Sequence, residues 1–292
     1  MTGLAPIDGL AVLAIIAKAV EYGAALLAIG GVLFAVVFAA RADASVLALA
    51  RRVAMGAALV GLVVLTLRFG IRAARISGLG IEGALDPVML GFVWASPLGT
   101  AALWRGFGAA AILGFVLPGV GRWVALGGSV AVALSYTQIG HTLGDPRPLL
   151  APLLVVHLLA VALWVGALLP LWLAARSANG AALLHHFGHV AAYAVALLSV
   201  SGCVLSWLLS GSVTALLGTA YGAGLLAKVL GVSGLLGLAA LNKWRLVPAL
   251  RGGNPGAATA LRWSIAVEMA AVAAILLATA TITSVTIPPA RL

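Results

Sequence analysis

One cysteine in 292 residues, Cys203, leaves no partner for an internal disulfide and no thiol pair for a metal clip. Charge is also scarce: 8% of the residues are Asp, Glu, Lys or Arg, where a soluble domain carries about 25%. Acids are the rarer sign, seven against 17 Lys and Arg. They are scattered, mostly at the borders of apolar runs. With no HExxH, GxSxG, P-loop or Rossmann fingerprint beside them, no catalytic constellation emerges, and the chain reads as a non-enzyme that does not couple to ATP by itself. The net charge of +10 comes without a basic arm, an aromatic-interleaved basic patch or zinc-finger spacing, which argues against nucleic acid as a partner.

What is abundant is hydrocarbon. Hydrophobic residues make up 63% of the chain and the mean hydropathy is +1.19, which excludes a water-soluble globule. The expectation is an all-α polytopic membrane protein with membrane lipid as its solvent. About eight apolar windows of spanning length fall at roughly 11–40, 53–72, 100–118, 122–140, 150–174, 185–209, 222–244 and 262–284. The first is too long for a signal h-region and follows MTGLAPIDG, which has no base, so it is expected to stay in the mature chain. The stretch 84–98, GALDPVMLGFVWASP, is too short and Pro-interrupted to cross. It reads as a short interfacial helix capped by Asp86 before Pro87.

The windows divide into an N-terminal four-helix half, 1–142, and a second four-helix half, 143–292. With both termini outside, nine of the 17 bases fall at the inner borders, as the positive-inside rule asks. Arg68, Arg72 and Arg75 are the exception. They read either as a positively charged outer vestibule or as heads snorkelling from a long tilted helix. Thirty-six glycines, with spacings such as Gly224/Gly231 and Gly234/Gly237, point to close helix packing and to nothing more specific.

An ionisable group at mid-bilayer costs a few kcal/mol on insertion scales, so each needs a partner or a purpose. Lys18 and Glu21, three apart, are expected to pair with each other or to line a substrate path, with Lys228 as an alternative partner for Glu21. Lys228 shares a helical stripe with Tyr221. His141 ends the fourth window and His157 lies in the fifth, on opposite sides of a GDPRP turn, so the two imidazoles come within reach of each other. With Tyr136, Met89 or Cys203 at similar depth, such a pair suits a soft or borderline cation such as copper. A lone His is more often a hydrogen-bonded packing residue. At the inner boundary His185 and His189 stand at i, i+4 and can share a metal, with Glu268 and Met269 near that face; the plainer reading of His185, His186 and His189 is that they mark the membrane edge. Trp164, seven residues after His157, lies on the same helix face.

The runs HTLGDPRPLLAPLLVVHLLAVALWVGALLPLWL, HFGHVAAYAVALLSVSGCVLSWLL, TAYGAGLLAKVLGVSGLLGLAALNKWRLVPAL and LRWSIAVEMAAVAAILLATATIT, in that order, resemble the copper resistance protein D family (CopD, PcoD). The distinctive part covers about 150 residues; the preceding helices are similar in layout and in DPVMLGFVWASPLGTAALWR. The resemblance implies a multi-pass protein of the bacterial inner membrane, both termini periplasmic, that moves copper from periplasm to cytoplasm. The motif positions it marks are His141, His157, Trp164, Tyr221, Lys228 and Asn242. It also implies a separate periplasmic copper carrier of the CopC kind as partner, since no such domain is fused here. The chain has only four methionines, which argues against a thioether relay.

The leading reading is therefore a copper transporter with His141 and His157 as metal ligands and an inner exit near His185, His189, Glu268, Met269 and Asn242. Two others stay open: a haem b-type electron-transfer protein or metalloreductase, and a membrane scaffold for a periplasmic copper carrier.

Overall fold

The computed structural model describes residues 8–140, 147–210 and 219–285. The described residues are helical throughout, with short turns and no strand. The helices are α1 (Gly9–Val37), α2 (Ala44–Ser77), α3 (Pro87–Ala95), α4 (Pro97–Leu113), α5 (Gly121–Ser135), α6 (Arg147–Ala174), α7 (Gly180–Ser210), α8 (Ala220–Leu241), α9 (Val247–Arg251) and α10 (Ala257–Val285). Seven of the helical segments are long and apolar enough to cross a membrane, with α8 and α9 counting as one. The chain is an all-α polytopic membrane protein. The eighth expected window, 122–140, forms α5, whose 15 residues rise about 22 Å and are followed by a 3-10 turn at Tyr136–Gln138. Small residues in its Gly-Gly-Ser centre pack it against α4 along its length.

Local signals set the boundaries. Asp8 caps α1 by accepting from the Ala11 amide at 2.7 Å. As expected, Asp86 caps the short helix α3, its Oδ1 accepting from Val88 and Met89 N–H, with Pro87 at the first helical position. Helix α2 ends at Gly78, whose φ of 69° is a left-handed stop. At 34 residues, about 51 Å, α2 exceeds a hydrocarbon core of about 30 Å, so its last turns carry Arg72 and Arg75, both exposed, beyond the length a span needs.

Helix association in lipid relies on close packing, because lipid tails are as apolar as the side chains. Helix α1 occupies the centre, between α2, α5, α6 and α10. Its Ile29, Val32, Phe34 and Phe38 are fully buried. It crosses α6 at Gly30 against Gly166, where a Cβ on Gly30 would collide with the Ala162 carbonyl. Gly108 and Gly128 make the matching contact between α4 and α5. The spacings singled out in the sequence behave unequally: Gly224 and Gly231 meet Ile282 and Ile275 of α10, whereas Gly234 and Gly237 touch nothing. Gly218 and Tyr221's side chain lie outside the description.

At one end of the bundle Asn179 donates to Asp43 at 2.7 Å, tying the α6–α7 turn to the α1–α2 turn. That bond holds the Asp43 carboxyl below the usual carboxylate range. At the other end Lys18 of α1 donates to the Thr283 carbonyl of α10 at 3.0 Å and lies 3.4 Å from the Ser284 hydroxyl. The start of α1 and the end of α10 therefore meet on one side of the bundle.

Helix α8 does not stop cleanly. It passes through one π-helical stretch, Asn242–Leu246, into α9. Pro248 explains the slip: it has no N–H to give the carbonyl four residues back, and its ring crowds that carbonyl, at Trp244. The wider turn re-aims Asn242 toward α10.

Candidate functional site

Two polar assemblies lie inside the bundle. The first joins α1, α2, α4 and α5. Glu21, 3% exposed, is ion-paired with both Arg68 and Arg105. Arg105, 7% exposed, donates through Nε to Ser135 Oγ at 2.9 Å, and its guanidinium lies 4.1 Å from the centre of the Tyr136 ring. Tyr22 packs against that ring at 5.9 Å. One carboxylate between two guanidiniums, with a cation–π contact behind, is a structural lock: removing Glu21 strands two guanidiniums in oil, and removing Arg105 breaks its buried pair and leaves Ser135 and the Tyr136 ring without their partner.

This assembly corrects the expectation for the first window. Lys18 and Glu21 do not pair with each other. Lys18 instead serves the end of α10, where the last carbonyls have no helical donor. Glu21 takes arginines rather than Lys228, because α2 and α4 present guanidiniums at its depth. Tyr136 belongs to this cluster through Arg105. Met89 sits in the first turn of α3, which packs on α2 and α4. Arg105 was the residue missed. The available signal was an arginine five residues into the otherwise apolar window 100–118.

The second assembly joins α6, α7, α8 and α10 and is built differently. His157 of α6 is half-buried, with Nδ1 3.3 Å from Ser201 Oγ of α7. The Ser201 hydroxyl donates to the Leu197 carbonyl at 2.6 Å, which leaves its oxygen to accept. With the imidazole proton on Nδ1, this contact leaves the lone pair on Nε2, the form in which imidazole ligates a metal; the ring also bonds the Leu198 backbone. Lys228 of α8 is half-buried within electrostatic reach of this ring. Cys203, two residues beyond Ser201, is exposed. His141 lies outside the described residues, so the pairing of His141 with His157 does too.

Two turns further in along α6, about 10 Å away, Trp164 is buried beside Glu268 of α10. Glu268 is 2% exposed and accepts from Asn242 Nδ2 at 2.5 Å and from the Trp164 side chain. Both donors are neutral. Among the described residues Glu268 has no ion-pair partner. The sequence reading grouped Asn242 with Glu268 and Met269 at an exit and left Trp164 apart, on the His157 face; the structure brings Trp164, Asn242 and Glu268 together, and Met269 follows half-buried on the same helix as Glu268. The signal for the link was LNKWRLVP, in which the proline four residues after the Trp distorts the helix carrying Asn242.

Near the start of α7, His185 and His189 are exposed, with their Nε2 atoms 3.3 Å apart and their rings edge to face. They meet each other but not Glu268, whose hydrogen bonds run to Asn242 and Trp164. His186 turns inward and packs edge-on against Phe38. No group of three or more His, Cys, Asp or Glu side chains converges among the described residues.

Comparison with known families gives two matches. Residues 8–146 match the family model described as Copper resistance protein D-like, N-terminal domain. Residues 181–282 match that of Copper resistance protein D. No curated protein and no solved structure matches the chain.

Proposed function

Since the chain belongs to the copper resistance protein D family, we propose that it carries copper ions across the bacterial inner membrane, from periplasm to cytoplasm, along a row of polar stations between α6, α7, α8 and α10. The observation that carries this reading is Glu268: a carboxylate buried among helices with neutral hydrogen-bond donors and, among the described residues, no paired base. A structural carboxylate at such a depth would be expected to have a counter-ion, as Glu21 does. One without it is available to a passing cation.

In this reading copper is the cargo. It is taken by the free Nε2 of His157, passes about two helical turns to Glu268, and leaves past the His185 and His189 pair. Imidazole and carboxylate both suit copper, and the 3.3 Å separation of the rim nitrogens fits one ion ligated by both at about 2.0 Å. Lys228 places a positive charge beside the first station, which keeps a bound cation from resting there. The outward side is the one where α1 starts and α10 ends, and a separate CopC-like periplasmic protein is the proposed donor.

The test is copper uptake into proteoliposomes. Glu268→Gln keeps the shape and removes the charge, and should lower the uptake rate at least tenfold. Uptake equal to that of the unsubstituted protein would remove Glu268 from the path and this reading with it.

A further inference from the structure

A cavity of about 240 Å³ opens at the outer end of α1, α2 and α4, apart from the stations above. Its lining includes five bases: Lys18, Arg68, Arg72, Arg75 and Arg105. The only acid in contact with any of them among the described residues is Glu21, below the floor. This is a poor entrance for a metal cation and a suitable one for an anion. The depth gradient is also orderly. Arg105 and half-buried Arg68 form the floor, half-buried Lys18 stands at one wall, and exposed Arg72 and Arg75 stand at the mouth.

The lock around Glu21 does not use up this capacity. Arg105 is more than nine-tenths buried and has its Nε on Ser135 and its Nη1 on Glu21, yet its Nη2 has no hydrogen-bond partner among the described residues. An unsatisfied guanidinium N–H in a membrane protein is costly; Nη2 is closed off from the cavity that the side chain lines, so a bound oxyanion would satisfy it after a small shift of the guanidinium toward the opening. Arg72 and Arg75 make no ion pair among the described residues and are three apart on one helix, so both heads reach the same mouth.

We propose that this cavity is a binding site for a phosphate group, with Arg105 and Arg68 at its base and Arg72 and Arg75 closing over the outer oxygens. Guanidinium forks match phosphate oxygens in pairs, and one or two negative charges offset the mutual repulsion of the five bases. The group comes either from free phosphate or from a phospholipid head at the outer leaflet. The inference is independent of copper transport.

The experiment uses the full chain, delipidated in an uncharged detergent, and follows thermal unfolding. In one arm inorganic phosphate is titrated at constant ionic strength set with chloride. In the other, phosphatidylglycerol is added to the micelles and compared with a phosphate-free galactolipid. The Arg72→Gln, Arg75→Gln variant alters exposed side chains and leaves the buried lock intact, so it is expected to fold. A rise in Tm with inorganic phosphate, at least tenfold weaker in the variant, supports the site and assigns it to free phosphate. A rise with phosphatidylglycerol alone, again weakened in the variant, supports it and assigns it to lipid. No rise in either arm, or the same rise in protein and variant, overturns the proposal.

Discussion

Glu21 and Glu268 are equally buried acids in the same bundle, one clamped by two arginines and the other held by an asparagine and a tryptophan. The N-terminal region thus places its interior charge in a closed electrostatic group, backed by Ser135 and the Tyr136 ring. The region from α6 to α10 leaves Glu268 beside neutral donors and His157 beside a serine. Burial alone does not mark a residue as functional. What separates the two regions is whether the buried group already has its counter-charge.

The comparison can be broken most forcefully in the N-terminal region. Arg105→Leu breaks the buried pair with Glu21, leaves the carboxylate to Arg68 alone, and takes the donor from Ser135 and the cation from the Tyr136 ring. The expected loss of stability is about 3–5 kcal/mol, the usual cost of breaking a buried pair. Unfolding in detergent measures it, and a loss under about 1 kcal/mol would mean that the lock is not structural. Glu268→Gln should behave oppositely, with stability changed by less than about 1 kcal/mol because both neutral donors can still bond the amide. A large loss there would make Glu268 a structural acid like Glu21.

Smaller effects sharpen the contrast. His157→Ala is expected to slow copper uptake about three- to tenfold, and Ser201→Ala less, since Ser201 only sets which ring nitrogen carries the proton; an equal or larger effect of Ser201→Ala would contradict that ordering. The smallest effect lies outside the membrane. The native Asp43 carboxyl titrates below its unfolded value of about 3.9, so its contribution is fully present above that pH and fades as pH falls through the native value. Between pH 6 and pH 3 the unsubstituted protein should lose slightly more Tm than Asn179→Ala does. Parallel curves would show that the Asp43–Asn179 tie contributes nothing.

Much of the fold was legible because period, length and composition are coarse signals that lipid enforces. The short helix α3 and its cap were readable from Asp86-Pro87. The lock around Glu21 was not, because its partners come from helices 47 and 84 positions away and no local spacing encodes them. Lys18 and Glu21 show the hazard directly: three apart on one helix, they suggest each other, yet α10 offers one an orphan carbonyl and α2 and α4 offer the other two guanidiniums. In the second assembly the residue types were readable singly. Their grouping depended on the π-turn at Asn242–Leu246, a consequence of Pro248 that appears only when the helix is built.

The hydrogen bond from Lys18 to Thr283 has a topological corollary. First and last helices are neighbours, so the assembly closes into a circuit instead of forming a row with two loose flanks. A permuted gene that joined these helices through a short linker and opened the chain at the α5–α6 junction would keep every interface described above. It would also transpose the order in which the two regions leave the ribosome.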